Sequence, residues 1–397
     1  MSPLEGTRVL DMSRILAGPF CAMLLGDLGA EVIKVEKPGT GDETRNWGPP
    51  FVHGQSCYFL SANRNKKSVA VDLKSSKGKT IVQKLAETSD ILIENFVPGK
   101  LEKLGLGYEQ LREINPKLVY LSLTGFGTQG KYKDRAGYDV IAASMGGLLH
   151  ITGPLDGEPC KVGVAVTDLA TALYAKGAIL TALLQRIKTG RGQKIECDLL
   201  GTQVSLLVNI ASNYLNAGTE ARRWGTSHES IVPYKAYRTK DGYITVGGAS
   251  EKQFNILCER LGLEKLVLDE KFSTNALRVA NRKELDSIIQ ERFAQKTNER
   301  WLEKLEGCGM PYGPVNTPRD VFEDDEIKRR MVVTVQHSAG GDVRLVGPAV
   351  RFSDSQNAVR SAPPVLGEHT VEVLSRFYGE AEIGEFIAEK IVQAHSR

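Results

Sequence analysis

Cysteine and histidine are scarce in this 397-residue chain, six of each, and neither type clusters. Cys21, Cys57, Cys160, Cys197, Cys258 and Cys308 include no CxxC pair, so neither a zinc cluster nor a disulfide scaffold is expected, and scattered thiols suit a reducing compartment. His53, His150, His228, His337, His369 and His395 show no HxxxH or HxH spacing, and no metal site is expected. An excess of either charge is also missing. Fifty-one Lys and Arg against 48 Asp and Glu leave a formal charge of +3, whereas dedicated nucleic-acid binders concentrate positive charge. No apolar run reaches the roughly 20 residues that cross a bilayer. The nearest, 162–184, carries Asp168 and Lys176 and follows Lys161. Neither nucleic acid nor a membrane is an expected partner. Residues 1–6 lead straight into a strand pattern, with no signal-peptide core and no Arg-rich presequence. There is no P-loop to cradle phosphate and no GxSxG to place a hydrolase nucleophile.

Glycine, by contrast, is abundant, with 40 residues, about a tenth of the chain where roughly 7% is usual. Through the first half, strand and helix patterns alternate. Strands are expected over 7–11, 31–36, 68–73, 90–94, 117–123 and 193–198, and helices over 19–28, 77–88, 108–114, 139–149 and 169–187. This alternation predicts an α/β fold with a parallel sheet covered on both faces. Near Gly218 the pattern changes. Residues 222–233 are polar and irregular, and strands over 234–238 and 243–246 flank Asp241-Gly242, a hairpin signal. Amphipathic helices follow over 251–261, 282–294 and 298–305. Short strands over 332–336 and 343–346, a Ser/Pro/Ala-rich connector over 353–364 and helices over 368–376 and 380–392 complete the chain. The expected domains are 1–217, the first part of a large domain; 218–330, a linker and a small α+β domain; and 331–397, a return to the large domain.

Gly125-Phe126-Gly127-Thr128-Gln129-Gly130 has GxGxxG spacing after a strand. A dinucleotide fingerprint would also open a helix, but Lys131-Tyr132-Lys133-Asp134-Arg135 follows, a turn-like run. A loop at the carboxyl end of a strand is the reading these residues support. The first βα turn, Asp11 to Pro19, lacks phosphate-cradling glycines, although the helix after it can offer free N–H groups to an anion. Glu36 stands where a ribose-binding acid would stand. Gly146-Gly147, Gly153, Gly157 and Gly163 lead to Thr167-Asp168 at the start of a long apolar helix. Asp168 fits two roles: a helix N-cap, or a carboxylate able to attack an activated acyl group from a helix start that favours the anion. Spacing does not separate them.

An ordered set of motifs runs through the same segments: Leu10-Asp11, Ala17-Gly18-Pro19, Leu28 to Glu36, Gly41-Asp42, Asn63-Arg64-Asn65-Lys66, Glu94 to Gly99, Gly137-Tyr138-Asp139 and Thr167-Asp168. Together these resemble the class III CoA-transferases, a family that includes formyl-CoA:oxalate and carnitine CoA-transferases and shares its fold with α-methylacyl-CoA racemases. The resemblance extends to Arg223-Trp224-Gly225-Thr226, Ile231-Val232-Pro233-Tyr234 and Gly307 to Val315. It implies a Rossmann-like large domain built from both chain ends, a smaller inserted α+β domain and an interlocked homodimer. It implies Asp168 as nucleophile, passing through an aspartyl anhydride and an aspartyl-CoA thioester. The implied partners are an acyl-CoA and a free carboxylic acid, with the CoA thioester as co-substrate and no permanently bound cofactor. CoA contacts are implied at Ala17, Lys37, Leu73, Lys74, Asn95, Phe96, Lys103, Tyr138 and Asp139. Lys37 and Lys103 replace Arg of the formyl-CoA members, which removes a planar bidentate contact. Leu16 replaces a Gln that touches substrate in those enzymes, which argues against an oxalate-type acid. Gly247-Gly248 match a mobile glycine lid over the nucleophile.

The racemases carry His in the middle of Gly-His-Asp, where this chain has Gly137-Tyr138-Asp139. A phenol with a reference pKa of about 10 is a poor base at neutral pH. Transfer is therefore the expected reaction. A 2-methylacyl-CoA racemase, transfer to another acid and a catalytically silent CoA-binding scaffold are the alternatives. Trp47 to Phe51, His150 to Pro154 and residues 222–234 look most like family members that pass CoA from succinyl-CoA to a dicarboxylic acid such as glutarate or 3-hydroxy-3-methylglutarate. The far carboxylate of such an acid needs a cation, and Arg45, Arg135, Arg222, Arg223 and His228 are the candidates. The resemblance also implies a mitochondrial location, with the cytoplasm as alternative.

Overall fold

Apolar strands that alternate with helices have to bury both faces, and here they do so in one sheet. A computed structural model describes residues 1–395 of the chain, so the last two residues of the expected 331–397 segment lie outside it. Strands β1 (Arg8–Asp11), β2 (Glu31–Glu36), β3 (Lys66–Val71), β4 (Ile91–Glu94), β5 (Val119–Thr124) and β6 (Lys194–Asp198) lie parallel in the order β3-β2-β1-β4-β5-β6. Successive side chains go to opposite faces. Leu10, Ile33, Val35, Val69 and Val71 pack under helix α2 (Ser76–Glu87) through Ile81, Val82 and Leu85. Val9, Val32, Ile91, Ile93, Val119 and Leu121 pack against α1 (Ala17–Asp27) and a later long helix, Val166–Thr189. That helix has the length and hydropathy of a membrane span. Its Ala172, Ala175, Ile179 and Ala182 nevertheless belong to the core on this face.

The chain divides into two compact units. The larger comprises Met1–Leu148, Val162–Gly218 and Lys328–Arg397; the smaller comprises Leu149–Lys161 and Thr219–Ile327. Segment Leu149–Lys161 thus leaves the large unit, and Gly153 O accepts the Gly225 N–H at 2.9 Å. The helix expected over 139–149 accordingly stops early, as α4 (Asp139–Met145), after α3 (Tyr108–Ile114). The small unit builds an antiparallel sheet from β7 (Tyr234–Arg238), β8 (Tyr243–Gly247) and β9 (Tyr312–Pro314), joined at β7–β8 by the hairpin expected from Asp241-Gly242. Its core stacks Tyr237 on Phe293 at 5.3 Å and sets Trp301 edge-on to Phe293 at 5.0 Å. The helix expected over 380–392 ends at Ala388, because Lys390 adopts a positive φ of 59°. Val392–Gln393 then joins the large sheet antiparallel to β3. β3 itself begins two residues before the expected 68, with Lys66, whose ammonium is a buried partner and not a surface charge.

Order 3-2-1-4-5-6 reverses between β1 and β4, and the crevice outside the carboxyl ends of such strands is where open α/β sheets bind ligands. Below that crevice lies a buried charge network. Lys66 Nζ donates to Asp11 Oδ2 at 2.8 Å, to Pro19 O at 2.8 Å and to Asn63 Oδ1 at 2.9 Å. Lys34 Nζ donates to Ser13 O at 2.8 Å and pairs with Asp42 Oδ2 at 3.0 Å. Burial opposes ionisation of Asp11 and Asp42, but the two ammonium groups win. Asp11 stays below the ordinary carboxylate range, and Asp42 is held at about 2. Burial pushes Lys66 down to about 8 against the pull of Asp11. Removing one partner of a buried pair costs about 3–5 kcal/mol, while an exposed pair is worth about 1 or less. Asp11→Ala, which leaves Lys66 without its carboxylate, should therefore cost several kcal/mol in urea unfolding. Arg112→Ala, which breaks the exposed Glu109 pair, should cost at most about 1 kcal/mol. Equal losses would show that the network is not what holds the strand ends.

Candidate active site

At the switch point, several segments of the large unit enclose a cavity of about 320 Å³. Leu16 and Ala17 open α1, Asn95 and Phe96 follow β4, Gly125 follows β5, and the Arg135–Tyr138 turn and Asp168 close the far side. Backbone spacing makes two of the glycines obligatory. A Cβ on Gly125 would stand 2.7 Å from Gly137 Cα, and one on Gly137 would stand 2.5 Å from Gly125 Cα. The first glycine of the GxGxxG run is therefore a close-approach residue and not part of a dinucleotide loop. The start of α1, at Leu16 and Ala17 on the cavity wall, is left without a side-chain cap.

Asp168 is not the N-cap of its helix. Helix α5 (Val166–Thr189) is preceded by Ala165, and Asp168 is its third residue. Capping is done by Asp139, whose Oδ1 accepts the N–H groups of Thr167 at 2.8 Å and Asp168 at 3.0 Å. Those N–H groups are thus unavailable to the Asp168 carboxylate, and no residue among those described donates a hydrogen bond to it. Burial first, and then the Asp139 charge, push Asp168 up to about 7. A carboxylate half ionised at neutral pH, unsolvated by neighbours and open to a cavity, is a poised nucleophile or base. Burial and the nearby Asp168 and Asp139 carboxylates push the Tyr58 phenol up as well, a proximity that no sequence spacing signals. Glu94, at the end of β4, is pushed up to about 7 by burial although the Phe96 N–H donates to it at 2.8 Å.

A second cavity, about 700 Å³, opens beside the first and is lined in part by Lys37, Leu73, Lys74 and Lys100. Arg14 and Phe96 line both. The residues expected to touch CoA therefore divide. Ala17, Asn95, Phe96 and Tyr138 line the first cavity, and Lys37, Leu73, Lys74 and again Phe96 line the second. Lys103 lines neither; one helical turn earlier, Lys100 does. Asp139 serves as the cap described above. Asn95 exchanges two hydrogen bonds with the Arg14 backbone, at 2.9 and 2.7 Å, so its amide is spent on the loop.

The candidate cations separate just as clearly. Arg45 is consumed by Glu36, donating from Nε at 2.8 Å and Nη2 at 2.7 Å, and it lies 3.8 Å over the Phe59 ring. Glu36 is therefore no ribose acid. Arg223 donates to Gly157 O and His150 O within the small unit. There too, Arg222 stacks 4.1 Å over Trp224, and His228 Nδ1 accepts the Ser230 N–H at 3.1 Å. Arg135 lines the same cavity as Asp168, and its contacts are with Met145 Sδ and the Tyr132 ring, neither of which neutralises it. Gly247 ends β8 and Gly248 follows it in the small unit; both are buried, and their N–H groups bond to Pro311 O at 3.0 Å and Pro233 O at 2.8 Å.

A family model for CoA-transferase family III matches residues 4–370. A mouse succinyl-CoA:glutarate CoA-transferase is 51% identical over the whole chain and 91% of its own length. A succinate–glutarate CoA-transferase of Agrobacterium fabrum is 40% identical over 94% of this chain and 95% of its own. The crystal structure of a CAIB/BAIF family protein from Brucella suis superposes with a TM-score of 0.86 at 42% identity, covering 94% of this chain and 99% of that one.

The raised pKa of Asp168 has a consequence for stability. A carboxyl whose folded pKa lies above its unfolded value weakens the fold as pH rises from about 4 to about 7, and the penalty is complete above that. Asp168→Asn removes it. The variant should gain in melting temperature over the wild type at pH 8 and show little gain at pH 4. Thermal melts across that range check this, and a pH-independent difference would contradict the raised pKa.

Proposed function

This chain belongs to CoA-transferase family III and is a CoA-transferase, and on that premise we propose that it moves CoA from succinyl-CoA to glutarate, with Asp168 as the nucleophile. One observation carries the reading: a carboxylate with no hydrogen-bond donor from its neighbours, on a capped helix start, facing a cavity at the switch point of the sheet. The ionised Asp168 oxygen attacks the succinyl thioester carbonyl, and CoA leaves as the thiolate, giving an aspartyl–succinyl anhydride. The thiolate returns to the aspartyl carbonyl, forming an aspartyl-CoA thioester and releasing succinate. Glutarate then displaces the thiolate, forming an aspartyl–glutaryl anhydride. Attack of the thiolate on the glutaryl carbonyl gives glutaryl-CoA and restores the carboxylate. Each step exchanges one activated acyl group for another. The uncapped start of α1 borders the same cavity, and an N–H there would stabilise the charge that develops on the tetrahedral oxygen. The larger cavity suits the nucleotide of CoA, with Lys37, Lys74 and Lys100 toward its phosphates.

Arg135 is the cation we assign to the far carboxylate, because it shares the cavity with Asp168 and carries no carboxylate partner among the described residues. Two tests bear on this mechanism. Incubation with succinyl-CoA should leave a CoA or succinyl mass adduct on Asp168, and Asp168→Ala should abolish exchange; an active Asp168→Ala protein would overturn the mechanism. Arg135→Met should lower kcat/KM for glutarate at least tenfold while sparing valerate, which lacks the second carboxylate. Equal loss on both acids would remove Arg135 from that role.

We further propose that two copies associate through apolar surface of the large unit. Helix Val208–Ala217 buries none of its residues in the single chain, and Val208, Leu215 and Ile187 are 71%, 79% and 81% exposed. Sedimentation should give twice the chain mass, and Val208→Asp with Leu215→Asp should reduce it to that of one chain.

A further inference from the structure

Arg14 was not signalled by any motif, yet it occupies the junction of the two cavities. It and Phe96 are the residues that line both. Its backbone is fixed from both sides by Asn95, N–H to Oδ1 at 2.9 Å and Nδ2–H to O at 2.7 Å. Its guanidinium lies over the Phe96 ring, 5.2 Å from the centroid, and Nη1 pairs with Glu43. In that posture Nε–H is buried and has no acceptor. A buried donor without a partner is unfavourable, so the posture is one that a suitable acceptor would relieve. Glu43 sits on the short turn Glu43–Asn46, which Asp42 caps and which borders the larger cavity.

A CoA thioester that keeps its nucleotide in the larger cavity and its thioester at Asp168 must cross this junction. The part that crosses is the pantetheine arm, a narrow chain of methylenes interrupted by two amides. Phe96 offers the methylenes an apolar wall, and a guanidinium N–H is a charged donor for an amide carbonyl. We propose that Arg14 grips the pantetheine arm as it passes between the cavities, swinging off Phe96 and exchanging Glu43 for an amide carbonyl of the arm. Before the arm arrives, Arg14 is held by Glu43 at the junction of the two cavities. This assignment rests on the CoA-transfer reading but not on which acids are exchanged.

The test compares three donors: succinyl-CoA, the succinyl thioester of pantetheine, which lacks the nucleotide, and the succinyl thioester of ethanethiol, which lacks the arm. Arg14→Met should lower kcat/KM by about tenfold or more, and by the same factor, for the first two, while leaving the third unchanged. Glu43→Gln, which unties the guanidinium, should lower the KM for succinyl-CoA. Loss confined to succinyl-CoA would place Arg14 on a phosphate and overturn the assignment. Equal loss on all three donors, or a raised KM in Glu43→Gln, would show that the pair only holds the site in shape. CoA binding by the wild-type chain, read by calorimetry, separates the two readings. If CoA binds but succinate and glutarate are not exchanged, the choice of acids fails. The Arg14 assignment is then read from the loss of CoA affinity in Arg14→Met.

Discussion

Everything at the carboxyl edge of the sheet depends on two ammonium groups buried beneath it. Lys34 and Lys66 are fully enclosed, and a charge can be held there only if every donor finds an acceptor. Asp11 and Asp42 supply the charge, while Ser13 O, Pro19 O and Asn63 Oδ1 supply the remaining acceptors. Three of these acceptors belong to loops or to the first turn of α1. Satisfying the lysines therefore fixes the path of residues 11–19. Asp42 adds a further tie by accepting the Ile15 N–H, at a residue whose φ of 72° an isoleucine seldom adopts. The segment that lines both cavities is thus set by buried electrostatics more than by apolar packing.

The contrast with Asp168 is instructive. Asp11 and Asp42 stay ionised because each has an ammonium partner, while Asp168 is partly buried and faces a like charge. Asp139 produces both effects at once, removing the N–H groups that would otherwise solvate Asp168 and raising its pKa through its own charge. One fold thereby holds carboxylates at opposite ends of their range, the arrangement by which sites assign different tasks to the same chemical group.

The strand and helix sequence of the large unit was legible because its periodicities are strong. β2 and α3 fall on their expected residues, and α1 and α2 within two residues of theirs. Errors arose where a distant contact overrode local pattern. Lys66 reads as a polar residue before a strand, until Asp11 makes it a strand residue. Residues 389–392 read as the end of a helix, until Lys390 turns and β3 offers an edge. Asp139 and Asn95, expected as ligand contacts, are also ties within the protein that spacing does not signal. Arg45 and Arg135 looked equivalent as cations near family motifs. Only the fold gave one a bidentate carboxylate and left the other on the cavity.

By itself the sequence determined the α/β alternation, the hairpin at Asp241-Gly242 and the family, because these rest on local spacing and on motifs kept in order. It also singled out Asp168. Whether that residue caps its helix was decided by tertiary structure, which brought Asp139 from 29 positions away to do the capping. The identity of the uncompensated cation, the pairing of Gly125 with Gly137 and the place of Arg14 between two cavities were decided in the same way. Each depends on which groups lie within hydrogen-bond or van der Waals range across the fold, and spacing along a single chain does not carry those distances.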